Sequence, residues 1–222
     1  MDIEHPTFVC AEPLEWPVKH LPLKRIFDLC FSALIFLLGF PFFFLIALAI
    51  CMTSSGQIIY SHERIGRGGK PFRCYKFRTM YRDADKRLKT MLENNPVLQQ
   101  EWEQCRKLKK DPRITPLGHF LRKTSLDELP QFWNVLRGDL SVVGPRPVVQ
   151  SELEIFYGMK AKKILSIRPG LTGLWQVSGR NDTSYFTRVL LDETYVERHH
   201  LFLDLSLIAK TIPAMLFSKG AY

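Results

Sequence analysis

At 222 residues and 25.8 kDa the chain has room for one domain with a real core, and two ordinary domains are excluded unless both are small. Thirty-one Lys and Arg against 22 Asp and Glu give a formal charge of +9; setting aside the four acids (Asp2, Glu4, Glu12, Glu15) and one base (Lys19) of residues 1–23 leaves 30 bases against 18 acids, or +12, on residues 24–222. That balance favours an anionic partner, and the odd number of cysteines, five with no CxxC spacing, argues for reduced thiols over a disulfide framework or a zinc ribbon.

Residues 1–23, with Pro6, Pro13, Pro17 and Pro22, read as an irregular lead-in. From Leu29 to Met52 no side chain is charged, and as a helix rising about 1.5 Å per residue this run reaches across the roughly 30 Å hydrocarbon layer of a bilayer. That run admits three placements. A cleaved signal peptide, ending at Ala47-Leu48-Ala49, is disfavoured by the long lead-in and by an apolar part exceeding the usual run of about 7–15 residues. A transmembrane helix must bend at Gly39 and Pro41, where proline removes a backbone donor. Both flanks are basic, with Lys19, Lys24 and Arg25 before the run and Arg64, Arg67, Lys70 and Arg73 after it. Basic loops stay cytoplasmic, so a re-entrant helical hairpin that enters and leaves on one face fits as well as a kinked span. The division expected is a lead-in over 1–23, a membrane-embedded bent helix over 24–55 and a cytosolic catalytic domain over 56–222.

Downstream, "IIYSHERIGRGGKPFRCYKFRTM" holds two β-rich pieces around Gly66-Arg67-Gly68-Gly69-Lys70, the pattern of a hairpin with a glycine turn. Residues 83–93 and 96–109 read as polar helices separated by Asn94-Asn95-Pro96, and Thr115-Pro116 opens a further short helix. In "KTSLDELPQFWNVLRGDLSVVGPRP" two carboxylates, Asp127 and Glu128, stand together in a basic chain. Ser125 and Glu128 match a capping box, but Pro130 would disturb a helix capped at Ser125, so capping by Asp127 with closure at Arg137-Gly138 fits better. A cap accounts for one acid and leaves Glu128 unexplained. His199-His200 lack a third ligand at a convincing spacing and read as surface or interface residues. The apolar "LFLDLSLIAKTIPAMLF" is either an interfacial helix in the headgroup plane or a core helix.

The order "KRIFD", a bent apolar segment, "RIGRGGKPFRCYKFRTM", "DPRITPLGHFLRKTSLDELPQFWNVLRGDLSVVGPRP" and "IRPGLTGLWQVSGRN" resembles the bacterial sugar transferases, monotopic polyprenyl-phosphate phosphoglycosyl transferases that start polysaccharide assembly. The similarity runs from about Lys24 to the C-terminus and is strongest to the short exopolysaccharide-initiating members of the undecaprenyl-phosphate galactose phosphotransferase type, which carry no further membrane bundle ahead of the catalytic portion. It implies an α+β fold, mostly helical, with an N-terminal re-entrant membrane hairpin, a short β-hairpin and C-terminal interfacial helices. The implied reaction moves a hexose 1-phosphate, galactose before glucose, from a UDP-sugar to undecaprenyl phosphate and releases UMP at the cytoplasmic face of the bacterial inner membrane. By the same resemblance Asp127 is the nucleophile and Glu128 a ligand of Mg2+. Lys76, Arg78, Arg146, Arg168, Asp192 and Tyr195 are the substrate-binding candidates, Lys76 and Arg78 because alternation on a strand puts them on one face.

The sequence departs from the family pattern twice, at Phe40-Pro41, where relatives commonly have a serine before the proline, and at Arg198-His199-His200-Leu201, where they tend to carry a tryptophan-containing stretch. Membrane lipid is an expected partner and nucleic acid is not, since neither a phosphate-binding glycine loop nor a nucleic-acid motif occurs; a homodimer is left open. The competing class is a non-catalytic, membrane-tethered basic module that binds acidic lipid or nucleic acid.

Overall fold

The computed structural model describes residues 18, 19, 21–105, 108, 111–178 and 184–216, so most of the expected lead-in lies outside the described residues. Proline at the first turn, where its missing N–H is not needed, opens helix α1, Pro22–Thr53. Among the described residues α1 is the one helix long and apolar enough to cross a membrane. The expected bent apolar segment is a single helix, α1, which continues through Pro41. Proline removes one N–H from the ladder, whereas breaking the helix would strand several polar groups with no water to receive them.

Both ends of α1 nevertheless dock on the same body. At the N-terminal end Arg25 donates to the carbonyls of Val135 and Leu136 at 2.6 and 3.0 Å, and Asp28 accepts from Ser141 Oγ and the Val142 N–H, each at 3.0 Å. At the C-terminal end Ile50 is buried with Phe77 and Leu121. Between them Leu37, Leu38, Phe40 and Phe42 are exposed, an apolar projection that water would not tolerate.

Strands β1, Ile59–Ile65, and β2, Pro71–Phe77, form the expected antiparallel hairpin, with Ile65 opposite Pro71 and Ile59 opposite Phe77. Gly68 and Gly69 take positive φ in the turn, which glycine adopts without a Cβ penalty. Helices α2, Ala84–Asn94, and α3, Pro96–Cys105, meet at Asn95, whose Oδ1 accepts from the N–H groups of Val97 and Leu98. Thr115 Oγ1 caps α4, Pro116–Lys123, by accepting from the Gly118 N–H at 2.8 Å. A 3₁₀ turn over Leu126–Glu128 leads into α5, Gln131–Arg137, closed by Gly138 at φ 91°.

A second, parallel pair joins β3, Ser141–Val143, to β4, Gly170–Thr172. Their backbones approach so closely that a Cβ on Gly170 would lie 2.0 Å from Gly144 N. That contact, with Gly170 N–H donating to Pro145 O and Gly144 N–H to Thr172 O, fixes the path of Gly144-Pro145-Arg146-Pro147. Between these strands lie α6, Gln150–Glu152, running into a π turn over Leu153–Tyr157, and α7, Lys160–Ile164; after β4 come α8, Leu174–Val177, α9, Tyr185–Arg198, and α10, Leu201–Leu216. A buried cluster around Val135, Leu140, Val143, Ile167, Tyr195 and Leu207 ties β3, α5, α9 and α10 together. Helix α10 is core on one side, through Asp204 and Leu207, and exposes Phe202, Leu205 and Ile212 on the other. His200 Nδ1 accepts from the Leu203 N–H at the start of α10, and His199 Nδ1 lies 2.9 Å from the Val196 carbonyl.

Candidate active site

The two carboxylates owe their position to the leucines around them. Leu126 and Leu129 pack onto the Phe77–Leu121–Ile50 cluster, which pins the 3₁₀ turn between them. Ser125, in the left-handed region at φ 56°, turns the chain sharply after α4 and makes no side-chain cap. Neither the capping box nor the Asp127 cap forms: the residue ahead of α5 is Pro130, and no side chain caps that helix. Released from capping, Asp127 and Glu128 meet Lys76 of β2, whose Nζ lies 2.5 Å from Glu128 Oε1 and 3.9 Å from Asp127 Oδ2.

The two acids differ in surroundings. Asp127 is buried, and that burial pushes its pKa up to about 6 against the pull of Lys76; the neighbouring Glu128 charge pushes it the same way, and Arg122 opposes. Glu128 opens to solvent, its side chain 41% exposed. Burial works against the Lys76 ammonium, but Glu128 and Asp127 outweigh it and hold its pKa above the ordinary lysine value. Arg122, pinned by Nε donating to Thr79 Oγ1 at 2.9 Å, completes the charged rim. The rim continues: Arg64 of β1 feels the charges of Arg146, Glu152 and Glu128, which carries positive charge from the carboxylates to the Gly144–Pro147 loop.

The structure brings some of the expected residues to this rim and turns others away. Arg146 stacks over Trp175 at 4.8 Å, and its N–H donates to Asp192 Oδ1 at 3.3 Å. Asp192 is buried, also accepts from Tyr157 Oη at 3.2 Å, and is pushed up to about 7 by that burial despite Arg146 and Arg188. Arg78 lies one residue beyond the end of β2 and donates to Ser54 O at 2.7 Å and Ser55 O at 3.1 Å, tying the end of α1 to the hairpin. Arg168 donates through Nε to Gly138 O at 2.8 Å and sits with Arg25 and Arg67 near the start of α1. Tyr195 is wholly buried beneath β3, its hydroxyl 2.6 Å from Asp204 Oδ1 and 3.0 Å from Val143 O. Arg122 and Arg64 were missed as site residues, although Arg122 stands five positions before Asp127 in the motif; Arg188, which stacks on Trp175 and Tyr185 at 4.1 and 4.4 Å, gave no signal in the sequence.

A divalent cation fits this donor set. Among the described residues no group of three or more His, Cys, Asp and Glu could enclose a metal, which disfavours an all-protein cage. Mg2+ is commonly held by one or two carboxylates together with substrate phosphates, and a solvent-open Glu128 beside Asp127 could supply such carboxylates.

A carboxylate pair beside a lysine and lined by arginines suits an anionic, phosphorylated substrate, and the same body carries one long apolar helix. The sequence profile described as "Bacterial sugar transferase" matches residues 19–218, and the chain belongs to that family. It is 50% identical over 199 residues to the exopolysaccharide production protein ExoY of Rhizobium meliloti, covering 90% of this chain and 88% of that protein. It is 48% identical over 200 residues to the undecaprenyl-phosphate galactose phosphotransferase of Salmonella typhimurium, covering 90% of this chain and 42% of that longer protein. The UDP-glucose:undecaprenyl-phosphate glucose-1-phosphate transferase of Escherichia coli is 36% identical over 207 residues, with 90% and 41% covered.

Proposed function

We propose that this enzyme transfers galactose 1-phosphate from UDP-galactose to undecaprenyl phosphate in two displacements at Asp127, the first step of exopolysaccharide, capsule or O-antigen assembly. The observation that carries the reading is the Asp127–Glu128–Lys76 cluster, a buried carboxylate beside an open one and a lysine, on the body that docks both ends of α1. An Asp127 carboxylate oxygen attacks the β-phosphorus of the nucleotide sugar; the phosphoanhydride bond breaks and UMP leaves. A phosphate oxygen of the acceptor then attacks the same phosphorus, the aspartyl bond breaks, and undecaprenyl-diphosphate-galactose is formed with Asp127 restored. Lys76 offsets negative charge at the phosphoryl group, and Arg64, Arg122 and Arg146 hold anionic substrate along the rim. Glu128 would hold Mg2+, which when bound neutralises charge between carboxylate and diphosphate.

Galactose is favoured because relatives near 50% identity include galactose phosphotransferases, whereas the named glucose enzymes lie at 36–38%. Residues 24–55 are the membrane-embedded part and 56–222 the catalytic part. Both ends of α1 docking on one body support entry and exit on one face, and the basic flanks support the cytoplasmic face of the inner membrane. The test is incubation of purified enzyme with Mg2+, undecaprenyl phosphate and a panel of UDP-sugars, with UMP measured for each and quenched enzyme digested and weighed. UMP release with UDP-galactose and a hexose-phosphate adduct on the Asp127 peptide are expected; turnover without an adduct, with kinetics requiring a ternary complex, would overturn the covalent route.

A further inference from the structure

Between α1 and the β-hairpin runs a groove of about 520 Å³. Its walls are Phe36, Phe40 and Phe44 of α1, Tyr75 and Phe77 of β2, and Trp133 of α5, and none of its lining residues is charged. The hydroxyl of Tyr75 accepts from Arg137 Nη1 at 3.2 Å. A volume within the roughly 300–1,000 Å³ of small-molecule sites, with hydrocarbon and aromatic walls, suits an apolar chain and gives a charged headgroup nothing to bind.

The groove's position selects its occupant. Alternation along β2 sends Tyr75 and Phe77 to one face and Lys76, between them, to the other. Lys76 meets Glu128 and Asp127, while its two neighbours line the groove. Pro130, two residues past Glu128, is also a wall. The apolar channel and the charged rim therefore back onto one strand and one turn, and the other wall is the part of α1 that projects beyond the body. A molecule with a phosphate at one end and a long apolar chain at the other can put the phosphate by Lys76 and the chain along Phe77, Phe40 and Phe44.

We infer that this groove is the binding site for the isoprenoid chain of the lipid acceptor, holding the segment nearest its phosphate. The inference rests on the acceptor proposed above. It explains why so many aromatic side chains of α1 and α5 converge: Phe36 meets Trp133 edge-on at 6.4 Å and stacks with Phe43 at 5.0 Å, giving rigid flat walls against which a branched, unsaturated chain packs without ordering flexible side chains.

Ala47 is a lining position, and Ala47→Trp fills the groove. With full-length enzyme in nanodiscs, A47W is expected to raise KM for undecaprenyl phosphate about tenfold, while KM for UDP-galactose and the rate with methyl phosphate, which has no chain to enter the groove, change less than about twofold. An unchanged KM for undecaprenyl phosphate overturns the inference. Should A47W be inactive with both acceptors, photolabelling of the wild-type enzyme decides. A polyprenyl phosphate with a diazirine near its phosphate should label the peptides carrying Phe40–Phe44 and Trp133, and excess undecaprenyl phosphate should displace it while phosphatidylglycerol does not. Labelling elsewhere, or equal displacement by the phospholipid, overturns it and identifies the groove as a seat for ordinary acyl chains. Wild-type UMP release separates the two failures: without it the transfer reading itself falls, and with it only the groove assignment does.

Discussion

Two lysine–carboxylate groups in this protein look alike on paper and behave differently. In one, Lys24 of α1 lies 2.6 Å from Asp204 Oδ2, and the other oxygen is 2.6 Å from the Tyr195 hydroxyl, which also reaches Val143 O. Asp204 is 1% exposed, and both its oxygens are used. In the other, Lys76 gives its close contact to the open Glu128 and stands 3.9 Å from the buried Asp127. The first carboxylate has spent its charge on holding α1, α9, α10 and β3 together. The second is desolvated and only partly compensated, the condition in which a carboxylate is available to an electrophile that brings its own cation. Burial is common to both; what separates scaffold from chemistry is whether the partner is already fully engaged.

The sharpest break is Asp127→Asn, which removes the nucleophile and leaves the shape. Transfer should fall about 10³-fold or more, with membrane association unchanged in flotation. Wild-type turnover by that variant would move the chemistry elsewhere. Next comes Lys24→Met, which leaves Asp204 buried without its cation and should cost about 3–5 kcal/mol, read as a lowered melting temperature. The double replacement Lys24→Met with Asp204→Leu should recover most of that loss, because two apolar groups need no partner. At Lys76 the same change to Met should move stability by no more than about 1 kcal/mol, since Glu128 faces water and Asp127 can take up a proton, while it depresses transfer.

This contrast shows where sequence carries meaning. The Asp127-Glu128 pair was legible because adjacent acids in a basic chain need a cause, and α2, α3 and α4 were legible because Asn95, Thr115 and the prolines after them act locally. Asp192 and Tyr195, three apart on α9, share one helix face, and the sequence says that much. Whether that face meets the site or the core depends on β3 and α10, so Tyr195 proved to be scaffold. The β3–β4 pair was invisible because three-residue strands far apart in sequence have no period to read. Ser125 in the left-handed region has no local signature either, for glycine or asparagine is the usual choice there. That Arg78 is tied to the end of α1 had no local signal, because its partners Ser54 and Ser55 lie on a separate element.

Acid should separate the two groups kinetically. Asp127 must be ionised to attack, and burial puts its pKa at about 6, so kcat/KM for UDP-galactose should fall about tenfold per pH unit below that point and level off above it. A profile flat down to pH 5 would mean that the attacking group is a carboxylate with no such burial.

The mildest test concerns Asp192, which is as buried as Asp204 but among the described residues has only the Arg146 N–H and the Tyr157 hydroxyl as hydrogen-bond donors, and is pushed up to about 7. An unfolded aspartate releases its proton near about pH 3.9, so between there and 7 the folded protein binds more protons than the unfolded chain. Stability therefore declines as pH rises through that window, by at most about 1.4 kcal/mol per pH unit for one proton, and the penalty is complete above 7. Asp127 contributes in the same sense, but its window closes near 6. Between pH 6 and 7 the difference between wild type and Asp192→Asn isolates Asp192, because the amide cannot ionise yet can still accept from the Arg146 N–H. Denaturant melts across that interval should show the variant gaining on the wild type as pH rises. Parallel curves would mean that Arg146 and Arg188 hold Asp192 ionised, which would place it with Asp204 among the fully compensated carboxylates.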